Sequence, residues 1–203
     1  QSDLCDRVEV AGSIRRMKDT IGDIDIVATT RAPKKLMDLF VNLPAVHEVV
    51  AHGLSRSTVY LKSGIHVDLR VLRPEEFGAG LYYFTGSTEH NVAVRAWAVK
   101  HKATISEYGV FVGTKQKKGT LLASETEEHI FRVLGMPYIP PELRENRGEI
   151  EVARAHSLPV LIETKDICGD LHAHSTYSDG VDDMVAMAHA ARKSPRTCAP
   201  SAR

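Results

Sequence analysis

The segment AGSIRRMKDTIGDIDIV, residues 11–27, holds acidic and anion-binding side chains within one short stretch. Asp23 and Asp25 alternate with isoleucines, so a strand would place both carboxylates on one face, with their Cα atoms about 6.5 to 7 Å apart. Like charges at this distance destabilise each other unless they share a proton or a metal ion. Because oxygen ligands suit Mg²⁺ and Mn²⁺, the pair predicts a divalent cation site.

A third carboxylate, Asp68, lies in the run HVDLRVL. Period-two alternation places His66, Asp68 and Arg70 on one face of a strand that we expect to neighbour the strand of Asp25. Three acids can hold two ions about 3.5 to 4 Å apart, one activating an attacking hydroxyl and the other stabilising the leaving oxygen of a phosphoryl transfer. Taken alone, Asp68 is more often an ordinary structural carboxylate, so its assignment depends on the other two acids.

Groups that could bind a phosphate precede the acid pair. Gly12 would let the backbone approach a phosphate, and Ser13 would cap a short helix and offer a hydroxyl. Arg15 or Arg16 could fork onto phosphate oxygens. A plainer interpretation is also open, in which the acids and arginines form exposed ion pairs worth about 0 to 1 kcal/mol. The order of these features along the chain favours a site for a metal-bound triphosphate.

The pattern around these residues predicts a sheet with flanking helices. Strands are expected up to Ala11, over 23–28 and in the runs VHEVVAHG, STVYLKSG and HVDLRVL, with a helix over about 33–42. From Pro74 the pattern changes to helices, with a small hairpin around 104–112. Ser87 and Ser124 are the predicted caps of two helices, and the run PYIPPELRENRGEI predicts a tether to another short helix.

Composition limits the possible partners. The 203 residues carry 26 basic and 26 acidic side chains, so there is no global field that would attract nucleic acid and any such partner must be held by local patches. The basic loop GTKQKKGT, with Lys115, Lys117 and Lys118, is interpreted as a solvated loop. The odd set Cys5, Cys168 and Cys198 fits free thiols in a reducing compartment, and no apolar run is long enough to cross a bilayer.

The successive motifs GSIRRMKDTIGDIDIV, HVDLRV, LYYFTGSTEHNVAVR and ISEYGVF resemble the palm and thumb of family X DNA polymerases, the group typified by DNA polymerase beta. The later runs ETEEHIFRVLGMPYIPPELRE and DLHAHSTYSDG are similar to bacterial members that carry a PHP phosphoesterase domain. The resemblance extends from about Val8 to about Arg192. It implies an α+β fold, in which a nucleotidyltransferase palm sheet with flanking helices precedes a mainly helical thumb with a small hairpin. The expected divisions are palm 1–73, thumb 74–147, linker 148–169 and, at 170–203, a truncated start of the PHP domain with an atypical tail.

The resemblance assigns roles at the predicted cation site. Asp23 and Asp25 would bind two Mg²⁺ or Mn²⁺ ions, and Asp68 would bind the catalytic ion and help deprotonate the primer 3′-hydroxyl. The residues implied for the triphosphate are Gly12, Ser13 and Arg16, with Arg15 in a less direct position. His66 stands where the animal member has an arginine, which leaves the fine positioning of the third acid open.

The resemblance also assigns roles in the first thumb segment. Tyr83, Phe84 and Gly86 would line the sugar and base of the incoming nucleotide, Asn91 would read the minor-groove edge of that base, and Arg95 would contact the template strand. Glu107 and Tyr108 would brace the closed thumb. From the residues alone, the aromatic cluster is more often core, and Asn91 with Arg95 could be an ordinary exposed i, i+4 pair.

His172 and His174 match the first metal ligands of a PHP domain, but an isolated pair is a weak site because that cluster needs further ligands. The implied function is a DNA-directed DNA polymerase that adds dNTP to a primer 3′-hydroxyl on gapped or primer-template DNA in repair. We expect a monomer of the bacterial cytoplasm with no membrane partner and no N-terminal helix-hairpin-helix modules. A template-independent nucleotidyltransferase and an inactive fragment that at most binds DNA remain alternatives.

Overall fold

The computed structural model describes residues 4–113, 118–167 and 172–193. It divides into two compact units, Gln1–Leu158 and Pro159–Arg203. Lys115 and Lys117 of the predicted basic loop, Cys168, and the predicted atypical tail beyond Lys193 lie outside the described residues. None of the described helices is long and apolar enough to cross a bilayer.

The first unit begins with a five-stranded sheet of order β1-β2-β5-β4-β3. Its strands are β1 Arg7–Val10, β2 Asp23–Thr29, β3 Val46–His52, β4 Arg56–Leu61 and β5 His66–Leu72. Strands β2 and β5 pair in parallel, whereas the β1/β2, β3/β4 and β4/β5 pairs are antiparallel. The predicted strands are therefore confirmed as neighbours in one sheet, and the parallel pair joins the two acidic motifs.

Two helices accompany this sheet, α1 Gly12–Arg15 and α2 Pro33–Val41. Helix α2 begins at a proline, whose fixed φ suits the first helical position. Its buried side chains Leu36, Met37 and Phe40 recur at helical spacing and pack with sheet residues in one core cluster. The predicted helix over 33–42 is thus confirmed, with Asn42 as its C-terminal cap.

Helices dominate the rest of the first unit, around a second, three-stranded sheet of order β6-β7-β8. The elements are α3 Phe77–Thr85, α4 Thr88–Lys100, β6 Ala103–Ser106, β7 Gly109–Gly113, β8 Lys118–Ala123, α5 Glu127–Val133 and α6 Glu149–Arg154, with 3₁₀ turns at Pro74–Glu76 and Pro141–Leu143. The predicted hairpin is present as β6 and β7, but β8 was not predicted, because its lysine and glycine start resembles a loop. In the second unit a 3₁₀ turn, Thr164–Asp166, precedes α7 Met184–Lys193.

The predicted helix caps have mixed outcomes. Ser87 caps α4 as predicted, since its Oγ accepts a hydrogen bond of 3.2 Å from the His90 amide. The prediction for Ser13 was wrong: Ala11 is the N-cap of α1, and Ser13 lies inside the helix. The prediction for Ser124 was also wrong, because Thr126 accepts from the His129 amide at the start of α5.

The proline-rich run at 137–150 is packed rather than a free tether. Arg144 is completely buried, and Ile150 and Ala153 of α6 belong to the same core cluster as Tyr82 and Phe131. The linker expected at 148–169 therefore does not begin where α6 begins, since the compact unit continues to Leu158. The apolar face of α6 explains the difference, because Ile150 and Ala153, three residues apart, lie on one side of the helix.

Candidate active site

The acidic side chains of β2 and β5 meet at one level of the sheet. Asp25 is the direct Cα partner of Asp68 across the parallel pair, and Asp23 pairs with His66 two residues earlier. Burial, followed by the negative charges of Asp23 and Asp68, raises the pKa of the Asp25 carboxyl to about 6. The three acids are thus close enough to repel one another, which is the property expected of a cation-binding set.

Asp68 is held by groups from the neighbouring strand β4. Arg56 forks onto it, Nε lying 3.2 Å from Oδ1 and Nη2 lying 3.1 Å from Oδ2, and the Thr58 hydroxyl also donates to Oδ1. Burial alone would raise the pKa of the Asp68 carboxyl, but the hydrogen bonds from Thr58 and Arg56 lower it below its ordinary value. Asp68 is therefore an ionised carboxylate whose two oxygens already have partners.

Gly12, the first residue of α1, lies directly against Asp25. Gly12 has a φ of +59°, and a Cβ at this position would lie 2.1 Å from Asp25 Oδ2. The amide of Ala11 also donates to the carbonyl oxygen of Asp25 at 2.8 Å. Glycine is required here both for the left-handed backbone and for the close approach to the carboxylate.

Ser13, next in the chain, carries a buried hydroxyl without a hydrogen-bond partner among the described residues. An unpaired buried hydroxyl costs about 1 to 3 kcal/mol, so such groups usually await a ligand or a water molecule. Ser13 lines the same cavity as Gly12 and Asp25. The ligand-binding role of this serine stays a prediction, whereas its predicted capping role was wrong.

Arg15, the last residue of α1, and Arg16, its C-cap, have different surroundings. Arg16 Nη1 donates to the Thr85 carbonyl oxygen at 2.6 Å and Arg16 Nε to Glu145 Oε1 at 2.8 Å, with the side chain in the cavity. Arg15 instead binds Glu127 through both terminal nitrogens, at 2.9 and 2.6 Å. This difference agrees with the implied direct role of Arg16 and less direct role of Arg15.

Helices α3 and α4 form the other wall of the cavity, whose volume is about 470 Å³. Its lining includes ten of the predicted site residues: Gly12, Ser13, Arg16, Asp23, Asp25, Tyr83, Phe84, Gly86, Asn91 and Arg95. Asp68 does not line it and joins the site through its pairing with Asp25. Residues that the sequence placed on separate elements are therefore brought to one cavity.

Asn91 presents an unsatisfied acceptor to this cavity. Its Nδ2 donates to the Tyr83 carbonyl oxygen at 2.8 Å, which fixes the amide, whereas its buried Oδ1 has no partner among the described residues. Phe84 lies edge-on to Tyr83 at 5.3 Å, and the Arg70 guanidinium lies 4.7 Å from the centre of its ring. A ligand with a hydrogen-bond donor could satisfy Asn91.

Glu107 and Tyr108, predicted to brace the thumb, lie on the turn between β6 and β7 and do not line the cavity. Tyr108 is half exposed. Their bracing role stays a prediction.

In the second unit, His172 and His174 are adjacent, with their Nε2 atoms 2.8 Å apart, and His174 Nδ1 pairs with Asp179. All three side chains are exposed. Among the described residues of either unit, no three acidic, histidine or cysteine side chains are arranged closely enough to hold a metal ion as they stand. The metal role of the histidine pair remains a prediction.

Sequence reasoning missed Glu145 and Arg56. Glu145 meets Arg16 across 129 residues, and Arg56 was an unremarkable residue at a strand start. A local signal existed only for Arg56, because its position two residues before Thr58 puts both side chains on one strand face.

Comparisons with known proteins agree with these motifs. The family model for the DNA polymerase beta thumb matches residues 80–145. The DNA polymerase/3′-5′ exonuclease PolX of Bacillus subtilis is 37% identical over 185 residues, which is 90% of this chain and 32% of that protein. DNA polymerase lambda of Rattus norvegicus is 28% identical over 159 residues, covering 66% of this chain and 28% of that protein.

A third relative is shorter. Repair DNA polymerase X of African swine fever virus is 24% identical over 147 residues, 70% of this chain and 83% of the viral protein. By contrast, the chain spans only about a third of the length of the bacterial and rat relatives.

Proposed function

Because the chain belongs to family X of the DNA polymerases, we propose that its first compact unit adds deoxynucleotides to the 3′-hydroxyl of a DNA primer, directed by a template and with release of pyrophosphate. In this proposal the five-stranded sheet is the palm, at 1–73, and the helical part with its small sheet is the thumb, at 74–147. Gap-filling repair is the proposed context, in keeping with the name of the viral relative. The partners would be dNTP and gapped or primer-template DNA.

The observation that carries the proposal is the convergence of three kinds of group on one cavity. The Gly12 turn and Ser13 offer phosphate contacts, the paired acids offer cation ligands, and the α3–α4 wall offers an aromatic surface with an unsatisfied amide oxygen. A nucleoside triphosphate bound through a cation needs all three kinds of group at once. Neither an exposed ion-pair cluster nor a purely structural core explains the unpartnered Ser13 and Asn91 atoms.

The donor set fits divalent cations. Asp23, Asp25 and Asp68 supply only oxygen. Burial and then the negative charges of Asp23 and Asp68 raise the pKa of Asp25, and a bound cation would relieve this repulsion. When bound, two such ions would lower the pKa of the primer hydroxyl and stabilise the leaving pyrophosphate oxygen. Arg56 would have to share or release Asp68 for this carboxylate to serve as a ligand.

The chain's own residues would position the substrates. Arg16 and Ser13 would bind the triphosphate, and the Tyr83–Gly86 segment would contact the sugar and base. Asn91 would face the minor-groove edge of the incoming base, where its unsatisfied Oδ1 could accept only from the amino group of guanine, because the other bases present acceptors there. Arg95, exposed one helical turn further along α4, would contact the template strand.

Primer extension on a gapped duplex tests the proposal. Wild-type protein with Mg²⁺ or Mn²⁺ should insert the nucleotide complementary to the template and stall when that nucleotide is omitted. Asp25→Asn and Asp68→Asn should each lower the rate by at least about a hundredfold, because each removes a proposed cation ligand. Asp38→Asn is the matched control, since Asp38 is a half-buried aspartate on α2 that pairs with Lys34 and His52 and does not line the cavity.

Each alternative gives a different pattern. Incorporation that ignores the template would indicate a template-independent nucleotidyltransferase. Binding of the duplex without any extension by wild-type protein would indicate a chain that only binds DNA. Unchanged rates in both site variants would exclude the acids from the reaction.

A further inference from the structure

Arg16 and Lys18, which follow the proposed phosphate contacts Gly12 and Ser13, already contact a carboxylate of the chain itself. Glu145 Oε1 lies 2.8 Å from Arg16 Nε and 3.6 Å from Lys18 Nζ. A single carboxylate oxygen therefore lies within ion-pair distance of two positively charged side chains. The Glu145 and Arg16 side chains are only 20% and 14% exposed, so water screens this contact less than it screens a surface ion pair.

Glu145 carries its charge in this position. Burial alone would raise the pKa of its carboxyl, but the hydrogen bond from Arg16 and the charges of Arg16 and Lys18 lower it. One of the two positive charges that an incoming phosphate would meet is consequently already offset. The buried Ser13 hydroxyl, in the same cavity, has no hydrogen-bond partner among the residues that the structure describes.

Arg16 has a second anchor that does not depend on Glu145. Its Nη1 donates to the Thr85 carbonyl oxygen at 2.6 Å, and a Cβ on Gly86 would lie 3.2 Å from the same nitrogen. The guanidinium therefore stays against the α3 end when the carboxylate leaves. A phosphate oxygen could then replace Glu145 Oε1 between Arg16 and Lys18. A second oxygen of the same phosphate could accept a hydrogen bond from the Ser13 hydroxyl, a contact that the Glu145 carboxylate does not make.

We propose that Glu145 is a resident counter-anion that sets the affinity of this cavity for polyphosphate, and that Lys18 is a further polyphosphate ligand. The inference deepens the proposed function, because the natural ligand would be the triphosphate of a nucleotide. Bound polyphosphate displaces Glu145 from Arg16 and Lys18. The Glu145 carboxylate competes with polyphosphate and competes still more effectively with anions that carry less charge.

The test measures binding of inorganic tripolyphosphate by isothermal titration calorimetry, without metal and at low salt. Glu145→Gln keeps the side-chain shape and removes the competing charge, so it should bind tripolyphosphate about fivefold more tightly than wild type. Glu142→Gln is the matched control, because it removes the same charge from an exposed residue of the same segment. This control should differ from wild type by less than about twofold.

Lys18→Gln should bind tripolyphosphate about threefold more weakly than wild type, because one cation is lost. In the Glu145→Gln, Lys18→Gln double variant the gain from Glu145→Gln should shrink, since part of the released charge is missing. Circular dichroism of each variant verifies that the fold is retained.

Equal affinities in Glu145→Gln and Glu142→Gln, or no measurable binding by any variant, would overturn the proposal. Weaker binding by Glu145→Gln would also overturn it, because Glu145 would then hold Arg16 in place for the ligand. Unchanged binding in Lys18→Gln would remove Lys18 from the site. None of these measurements depends on primer extension, so their failure is distinguishable from failure of the proposed polymerase activity.

Discussion

Position 12 accommodates nothing larger than a hydrogen atom. Gly12 has a φ of +59°, and a Cβ atom added in ideal geometry would lie 2.1 Å from Asp25 Oδ2, so any side chain would collide with the carboxylate. Gly64, in the turn between β4 and β5, also has a positive φ, of +83°, but has no atom within 4 Å of its ideal Cβ. The pair separates the effect of backbone strain from the effect of steric conflict at the site.

Gly12→Ala should reduce primer extension by at least about a hundredfold, because the new methyl group would push the Asp25 carboxylate away from Asp23 and Asp68. Gly64→Ala should cost about 1 to 2 kcal/mol of unfolding free energy from the same left-handed strain and leave extension nearly unchanged. Rates on a gapped duplex and denaturant unfolding of both variants provide the measurement. Equal losses of activity in the two variants would show that strain, not contact with Asp25, explains the glycine.

At the level of elements, α1, α5 and the 137–150 segment are joined by a buried charge cluster. Glu127, at the start of α5, binds Arg15 of α1 and receives Arg144 Nη1 at 2.6 Å. Arg144 is fully buried, with its guanidinium 5.2 to 5.6 Å from the rings of Tyr82, Phe131 and Tyr138. Such a cluster is stable only while every charge keeps its partner.

Glu127→Ala should therefore destabilise the first unit by about 3 to 5 kcal/mol, since it leaves Arg144 charged and unpaired in the core. Glu128→Ala, an exposed acid on the same helix turn, should change the unfolding free energy by less than about 0.5 kcal/mol. Urea unfolding followed by circular dichroism distinguishes them. A small loss for Glu127→Ala would mean that water reaches Arg144.

A second buried pair links α4 to α6. His90 Nδ1 and Glu149 Oε1 are 2.6 Å apart, and Arg144 and Glu145 are the other charged groups that act on the ring. Burial lowers the pKa of the His90 imidazole below its ordinary 6.5. For Glu149, burial acts in the opposite direction, but the hydrogen bond from His90 lowers the carboxyl pKa below 4.5.

Both shifts give stability that is present at neutral pH and lost in acid. The unfolded chain takes up a proton on His90 as the pH falls through about 6.5, whereas the folded chain resists it, and Glu149 repeats this below about 4.5. Each group contributes a slope of at most about 1.4 kcal/mol per pH unit. Unfolding free energy measured from about pH 8 down to about pH 4 should fall accordingly. His90→Gln should flatten the upper part of this curve.

At the level of the whole molecule, the sequence could predict contacts between residues close together in the chain better than contacts between distant ones. Alternation of isoleucine and aspartate predicted the carboxylate face of β2, because this signal is local. The residues of the α3–α4 wall were predicted only through the resemblance of LYYFTGSTEHNVAVR to family X. Ser13 was misassigned as a cap because the helix begins at Gly12, two residues earlier than a cap at Ser13 would require. Glu145 and Arg144 could not be predicted, since a charged residue in a proline-rich run looks solvated until the fold buries it.

The extent of the first unit gives a prediction at this scale. A chain ending at Leu158 should retain the unfolding free energy of the unit, whereas one ending at Arg147 should lose about 3 kcal/mol or more, because it removes α6 with Ile150, Ala153 and the carboxylate that faces His90. Comparison of the two unfolding curves tests where the compact unit ends. Equal unfolding free energies of the two chains would show that the compact unit ends at Arg147, as expected from the sequence.

The parallel pairing of β2 with β5 has a kinetic consequence. The two acids it aligns belong to strands separated by α2 and the β3–β4 hairpin, so closing that ladder requires a long crossover and is slow compared with forming the local helices. During refolding, helical circular dichroism should return before the ability to extend a primer. The rate at which primer extension recovers would then report the rate of the last step in sheet formation, the pairing of β2 with β5.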